Sequence, residues 1–183
     1  MLNPKLCRQL ADIFQFLKWK MCDLSPLRRW VHPSGKTVLL GDSCHPMLPY
    51  LAQGAAQATE DAGTLRASLA HHDNIPDALK AYERQRLPRA AAITANTRIH
   101  QDWLHLYDGP DREERDRLMT KNSKENPIFW AYTPRKDWLF GYDAEQLLEE
   151  DELNIPELPP MPPSHASVYH SGGSGGGAIQ AQL

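Results

Sequence analysis

The sequence predicts an α/β fold that is mostly helical, with a few strands. Three observations lead to this prediction. Residues 37–40 form a continuously apolar run, as in a strand covered on both faces, and the run stops at Gly41-Asp42. Residues 51–69 and 74–106 carry apolar or small side chains at helical spacing. Prolines and glycines punctuate the connections between these segments.

The first elements can be placed from local signals. Apolar side chains between residues 6 and 17 have helical spacing, and residues 30–32, 33–36 and 37–40 have the pattern of a strand, a turn and a strand. A helix is then predicted to begin near Leu51. Its small-residue stripe lets a helix approach its neighbours closely, so we expect that stripe to be buried. The stripe consists of Leu51, Ala55, Ala58, Ala62, Leu65 and Leu69.

The second long helix is predicted to open after Asn74, with Pro76 in its first turn. A kink or break is expected at Pro88, after which the helix resumes and continues to about Leu106. Short helices are predicted at 111–120 and 144–150. From Asn154 onward prolines and then glycines dominate, so we expect this tail to be disordered.

Composition and charge exclude several classes of protein. A chain of 183 residues is long enough for one domain with a real core. The net charge of −3 argues against a nucleic-acid-binding protein, and the absence of an apolar run near 18 residues argues against a membrane span. The first 20 residues do not resemble a signal peptide, and the three cysteines form no close pair. We therefore expect an intracellular, cytoplasmic protein; its oligomeric state stays open.

The segment from Val38 to Ala62 carries the chemistry. A buried strand would deliver the carboxylate of Asp42 at its carboxyl end, where ligands of α/β sheets bind. Backbone N–H groups at Gln53, Gly54 and Ala55 would open a helix whose dipole suits negative charge. Gly54 would let a flat ligand approach the backbone. The alternative is a plain strand-loop-helix connection that Asp42 caps, and the residues fit this interpretation equally well.

The run from Gly41 to Ala62 resembles the second flavin motif of group A FAD-dependent monooxygenases, particularly the fungal salicylate hydroxylase-like proteins. Residues 18–20, 30–35 and 82–89 fit the same family, and the resemblance extends over about 6–145. It implies the C-terminal portion of an FAD/NAD(P)-binding fold of the para-hydroxybenzoate hydroxylase type. The implied domains are a substrate-domain remnant (1–36), part of the FAD-binding domain (37–150) and the tail (151–183).

The resemblance also implies a cofactor and its ligands. Asp42 would bind the ribityl chain of FAD, and Pro49 would line the flavin pocket. The stretch Gln53, Gly54, Ala55 and Ala56 would present backbone N–H groups near the flavin pyrimidine edge. The implied reaction is hydroxylation of a small, salicylate-like aromatic substrate with NAD(P)H as reductant and O2 as oxidant. No residue receives a catalytic role.

One feature departs from the family pattern. No glycine cluster has the G-x-G-x-x-G spacing that binds the ADP part of FAD. We therefore expect an incomplete enzyme or a remnant, which would hold FAD poorly when expressed as this chain.

The sequence leaves two other functions open, and it also contains candidate metal ligands. Gly41-Asp42-Ser43 matches the opening block of GDS-type serine esterases, and Asp102 with His105 could activate such a serine. A catalytically inactive fragment could instead act as an interaction protein through exposed apolar surface. No metal site is predicted, because the histidines and cysteines lack metal-ligand spacing. The candidates considered were His32, Cys44, His45, His71 and His72.

Overall fold

The computed structural model describes residues 20–148 and 154–162. Its four α-helices are α1 (Gly54–His71), α2 (Ile75–Leu104), α3 (Pro110–Met119) and α4 (Thr133–Phe140). Single 3₁₀ turns lie in the connections, at Gly41–Ser43, Pro49–Leu51 and Phe129–Ala131. The prediction of a mostly helical chain is confirmed. Within these two ranges no helix has the length and apolarity needed to cross a membrane.

The predicted strands at 30–32 and 37–40 are wrong, because no β-strand forms within the described ranges. The two segments fold back on each other but share only one antiparallel bridge, between Val31 and Val38. The predicted turn between them is present, and the Gly35 N–H donates to the His32 carbonyl at 2.8 Å. An apolar run becomes a strand only where neighbouring backbone groups pair with it along its length. Residues 20–148 and 154–162 therefore form helices and a hairpin-like loop, with no β-sheet among them.

Helix α2 is the central element of the fold. The Asn74 side chain caps it by accepting the Asp77 N–H at 3.0 Å, and Pro76 occupies the first turn as predicted. Of the kink or break expected at Pro88, the break is wrong, because α2 runs through this residue to Leu104, and the kink stays a prediction. Proline removes one backbone donor from a helix. Side-chain contacts of α2 with α1 and α4 on both sides of Pro88 offset that loss.

Helix α1 buries a different face from the one predicted. It starts at Gly54 instead of Leu51. Of the small-residue stripe, Ala55, Ala58, Ala62 and Leu69 are exposed and Leu65 is half-buried. The buried face carries mostly polar side chains: Gln57, Asp61, Thr64, Ala67 and Ser68. Alanine loses little by exposure, whereas Gln57 and Asp61 on the buried face accept hydrogen bonds from Arg86 of α2, so tertiary pairing decided the orientation.

Two apolar clusters form the core. One joins the hairpin-like loop to α2 and contains Trp30, Cys44, Tyr82 and Ala90. The other joins the 3₁₀ turns to α2 and α4 and contains Leu51, Ile93, Phe129 and Leu139. The Glu83 carboxylate accepts the backbone N–H groups of Trp30 and Val31, which fixes the loop to α2. Both clusters therefore use α2 as their common support.

The remaining predictions have mixed outcomes. The helix predicted at 111–120 is confirmed as α3. The helix predicted at 144–150 is wrong for 144–148, which form only turns, while 149–150 and the helix predicted at 6–17 lie outside the described residues. Part of the tail predicted to be disordered, 154–162, has no regular secondary structure, and its backbone carbonyls accept hydrogen bonds from Trp103, Arg135 and Trp138. Within it, the Pro160 carbonyl accepts the indole N–H of Trp103 at 2.7 Å.

Candidate functional site

Asp42 lies on the 3₁₀ turn Gly41–Ser43, with its side chain exposed. Its carboxylate makes no hydrogen bond within the described part of the chain. The Ser43 hydroxyl closes the turn by accepting the Leu40 N–H at 3.1 Å and donating to the Leu40 carbonyl at 2.6 Å. Gly41 adopts a left-handed φ of 58°, which a side chain would strain. The turn is therefore fixed by its neighbours while the carboxylate stays available to a ligand.

The turn that carries Asp42 packs on helix α1. The Gly41 N–H donates to Asp61 Oδ2 at 2.9 Å, and a Cβ placed on Gly41 would lie 3.6 Å from the Cβ of Ala58. Ala58 is one turn beyond Gly54, or about 6 Å along the helix axis. The structure thus brings Asp42 and the start of α1 to the same region, although without the strand that was expected to deliver the acid.

The start of α1 presents an accessible backbone. Pro49, Ala55 and Ala56 are exposed, and a Cβ placed on Gly54 would have no atom within 4 Å. The first N–H groups of a helix have no intrahelical acceptor, so those of Gly54 and Ala55 can reach a ligand. The Gln53 side chain differs from the others: it is 7% exposed and accepts the Gln57 side-chain N–H at 3.2 Å. Gln53 therefore offers its backbone only.

A buried ion-pair network lies directly beneath this surface. Asp61 is fully buried; its Oδ1 accepts Arg86 Nε at 2.8 Å, and its Oδ2 lies 2.7 Å from His45 Nε2. Burial opposes ionisation of Asp61, but the hydrogen bonds from His45 and Arg86 outweigh it and hold the pKa of the carboxyl below its usual value. The Asp61 carboxylate therefore stays charged and ties the Asp42 turn to α2.

The network extends through Glu60 to a second arginine. Glu60 accepts Arg86 Nη1 at 2.5 Å and Arg89 Nε at 2.7 Å. The Arg89 guanidinium also donates to the backbone carbonyls of Trp138 and Leu139 and lies 4.0 Å from the ring centroid of Tyr142. Helices α1, α2 and α4 are therefore joined by charge-assisted hydrogen bonds with most of their partners buried.

Known proteins that this chain resembles are FAD-dependent enzymes. A model of the FAD binding domain matches residues 10–97. The chain is 38% identical over 148 residues to FAD-dependent monooxygenase OpS4 of Beauveria bassiana, covering 78% of this chain and 35% of that protein. These matches support an FAD-dependent monooxygenase, of which this chain corresponds to a part. The chain spans about a third of the length of the curated relatives that it matches.

The names of two other relatives of this chain include an aromatic substrate. The chain is 39% identical over 131 residues to 3-amino-4-hydroxybenzoate 2-monooxygenase of Streptomyces cremeus, covering 71% of this chain and 33% of that protein. Identity to 3-hydroxybenzoate 6-hydroxylase 1 of Aquipseudomonas alcaligenes is 36% over 127 residues, with 69% and 30% covered. The crystal structure of FqzB matches with a TM-score of 0.52 and 30% identity, covering 68% of this chain and 27% of that one.

The ion-pair network around Asp61 was not predicted from the sequence. Its members are Gln57, Glu60, Asp61, Arg86 and Arg89. A signal was present in the sequence, because Gln57, Asp61, Thr64 and Ser68 repeat at helical spacing and form a second stripe on α1. Arg86 and Arg89 share one face of α2, three residues apart. Reading the polar stripe as the contact face would have predicted the pairing.

Ser43 and His105 do not contact each other as the nucleophile and base of a serine esterase would. The Ser43 hydroxyl is engaged with the backbone of Leu40, and His105 Nε2 lies 2.9 Å from the Tyr50 hydroxyl. A serine nucleophile needs its hydroxyl within hydrogen-bond reach of the base. The structure therefore does not favour the esterase alternative.

One group within the described ranges has metal-ligand geometry, contrary to the expectation from spacing. The side chains of Cys44, His45 and Asp61 are buried with their ligand atoms within 4.8 Å of one another. Burial raises the pKa of the Cys44 thiol to about 12, with the Asp61 charge acting in the same direction. Both Asp61 oxygens are already hydrogen-bonded, and the Arg86 cation lies beside them. Because a metal needs a thiolate and a free carboxylate oxygen, these three residues are better suited to the ion-pair network.

Proposed function

We propose that this chain contributes part of the FAD site of an aromatic-ring hydroxylase that uses NAD(P)H and O2. The observation that carries the proposal is the open start of α1 beside the exposed carboxylate of Asp42. Both lie within the residues matched by the FAD binding domain model. The hydroxybenzoate names of two relatives support a small aromatic substrate, for which a salicylate-like acid is our specific proposal.

The proposed roles follow from the geometry of the accessible groups. Asp42 would accept a hydrogen bond from a ribityl hydroxyl, because its carboxylate is exposed on a fixed turn. The N–H groups of Gly54 and Ala55, followed by Ala56, would face the pyrimidine edge, where they favour negative charge. Pro49 and the Gln53 backbone would complete the wall of the flavin pocket. Bound FAD would supply the redox and O2 chemistry.

The proposal extends to the fold and the domain boundaries. Residues 37–150 would belong to an α/β FAD-binding fold of the para-hydroxybenzoate hydroxylase type, with 1–36 from a substrate domain. The exposed alanines Ala55, Ala58 and Ala62 of α1 support this, because methyl side chains suit close packing by further parts of such a fold. The free thiols of Cys22 and Cys44 support a reducing, intracellular location.

Substitution of Asp42 by alanine tests the cofactor role. A hydrogen bond to a charged acceptor contributes about 1.5–3 kcal/mol, so FAD affinity should fall roughly ten- to hundredfold. Amide NMR of the ¹⁵N-labelled chain titrated with FAD measures binding even when it is weak. We expect FAD-induced shifts at Gly54 and Ala55 that need a correspondingly higher FAD concentration in Asp42→Ala.

Ser43→Ala is the matched control for this titration, since it alters the adjacent side chain of the same turn. It removes the hydroxyl that closes the turn but keeps the Asp42 carboxylate, so FAD affinity should fall much less than in Asp42→Ala, and neither variant should change hydrolysis of a p-nitrophenyl ester. FAD shifts that avoid the start of α1, or that are insensitive to Asp42→Ala, would contradict the proposed site. Ester hydrolysis abolished by Ser43→Ala would instead establish the esterase function.

A further inference from the structure

The loop that leads into α1 has a strained backbone. Ala52 has a φ of 51° and a ψ of 34°, which is the left-handed conformation. It is the one non-glycine residue with positive φ in the described ranges. A side chain is disfavoured there, so the surrounding structure must hold the turn in place. Because Ala52 lies directly before Gln53, this turn sets the direction in which the first N–H groups of α1 point.

Two anchors hold the turn from different sides. Leu51 is 2% exposed and packs in the core cluster with Ile93 and Phe129. Tyr50 places its hydroxyl 2.9 Å from His105 Nε2, and the two rings meet edge to face with centroids 5.4 Å apart. Neighbouring side chains of a 3₁₀ turn project about 120° apart. Leu51 therefore fixes the turn against the core, and the Tyr50–His105 contact fixes its rotation.

His105 is well placed to act as a rigid support. It is the C-cap residue of α2, and its backbone N–H donates to the Gln101 carbonyl at 3.1 Å. Its side chain is exposed, so it adds little to the apolar core. Helix α2 is also the element that holds Asp61 through Arg86. The same helix thus supports the Asp42 turn at its middle and the Ala52 turn at its end.

We propose that His105 is a positioning residue for the proposed flavin loop: through the Tyr50 hydroxyl it holds Pro49–Gln53 in the left-handed turn that orients the start of α1. This inference rests on the proposed function for its role, but the geometry it predicts is independent of FAD. His105 itself would not contact the cofactor. Its loss would leave Leu51 as the anchor of the 3₁₀ turn in the apolar core.

Hydrogen exchange of the free chain tests the proposal. The Ala52 N–H, which donates to the Pro49 carbonyl at 3.0 Å, reports directly on the turn. We expect Tyr50→Phe and His105→Ala each to speed its exchange about fivefold, the factor expected for one neutral hydrogen bond. The double variant should exchange no faster than either single variant, because both remove the same contact. His105→Gln, which keeps a hydrogen-bonding side chain, should restore slow exchange.

Tyr107→Phe is the matched control, since Tyr107 is 93% exposed on the same connection and should have no effect. A merely structural role for His105 would speed exchange throughout α2 and would not be rescued by glutamine. Either that pattern or unchanged exchange at Ala52 would overturn the proposal. The outcome is separable from the FAD titration: the turn can depend on His105 in a chain that fails to bind FAD, and FAD can bind where His105 has no effect.

Discussion

Replacing Arg86 with methionine is expected to lower the free energy of unfolding by about 3–5 kcal/mol, the range for removing one partner of a buried ion pair. Arg86 is fully buried and donates to Asp61 Oδ1 at 2.8 Å, Glu60 Oε2 at 2.5 Å and Gln57 Oε1 at 2.7 Å. Methionine fills similar space but leaves the Asp61 carboxylate charged and buried without its main partner. Urea unfolding followed by circular dichroism measures the change.

The same substitution should also affect the proposed FAD site. Asp61 holds the Gly41 N–H, so loss of Arg86 should loosen the turn that carries Asp42. Arg84→Met is the matched control, because Arg84 is exposed on the same helix and its replacement should change stability by no more than about 0.5 kcal/mol. Glu60→Gln, which keeps the Asp61 pair, should give an intermediate loss. A loss below about 1 kcal/mol for Arg86→Met would show that the network contributes little.

Stability should fall as the pH is lowered from about 6.5 to 4, because of His100. This residue is fully buried, and its Nε2 accepts the Phe129 N–H at 2.8 Å. Burial lowers the pKa of His100 from 6.5 to about 4, and the Arg135 charge acts in the same direction. Between these values the unfolded chain binds a proton that the folded chain excludes, so protonation favours unfolding. The difference amounts to about 3 kcal/mol at the acid end of the window.

Urea unfolding at several pH values between 4 and 7 measures this effect. His100→Gln keeps an acceptor for the Phe129 N–H but cannot take up the proton, so its stability should vary less over this range. His71→Gln, at an exposed position, serves as the control and should retain the wild-type slope. Asp61 contributes in a separate window: its lowered pKa places its loss of stability at lower pH, below the His100 range. Equal slopes in wild type and His100→Gln would rule out His100 as the origin.

Short-range signals in the sequence predicted much of the helical structure. Asn74 and Pro76 marked the start of α2, and the Asp108-Gly109-Pro110 run separated it from α3. Caps and proline positions act through bonds within one turn, so the local sequence suffices for them. The flavin motif from Gly41 to Ala62 was also visible in the sequence, and the comparisons confirm the family that it indicated.

Errors arose where a decision depended on distant partners. Residues 37–40 have strand composition, but within the described ranges they find only one paired residue. The break expected at Pro88 did not occur, because residues on both sides are held by α1 and α4. Both outcomes depend on contacts between segments far apart in the chain, whose free energies exceed local preferences.

The sequence by itself indicated the family, the start of α2 and the position of the Asp42 turn before α1, since local bonds and short motifs encode these. Only the tertiary structure decided which face of α1 is buried, and that Arg86 contacts α1 while His105 contacts Tyr50 in the turn before it. The physical reason lies in the pairing of charges and polar groups. The polar side chains of Gln57 and Asp61 favour solvent until an arginine on another helix replaces the water around them.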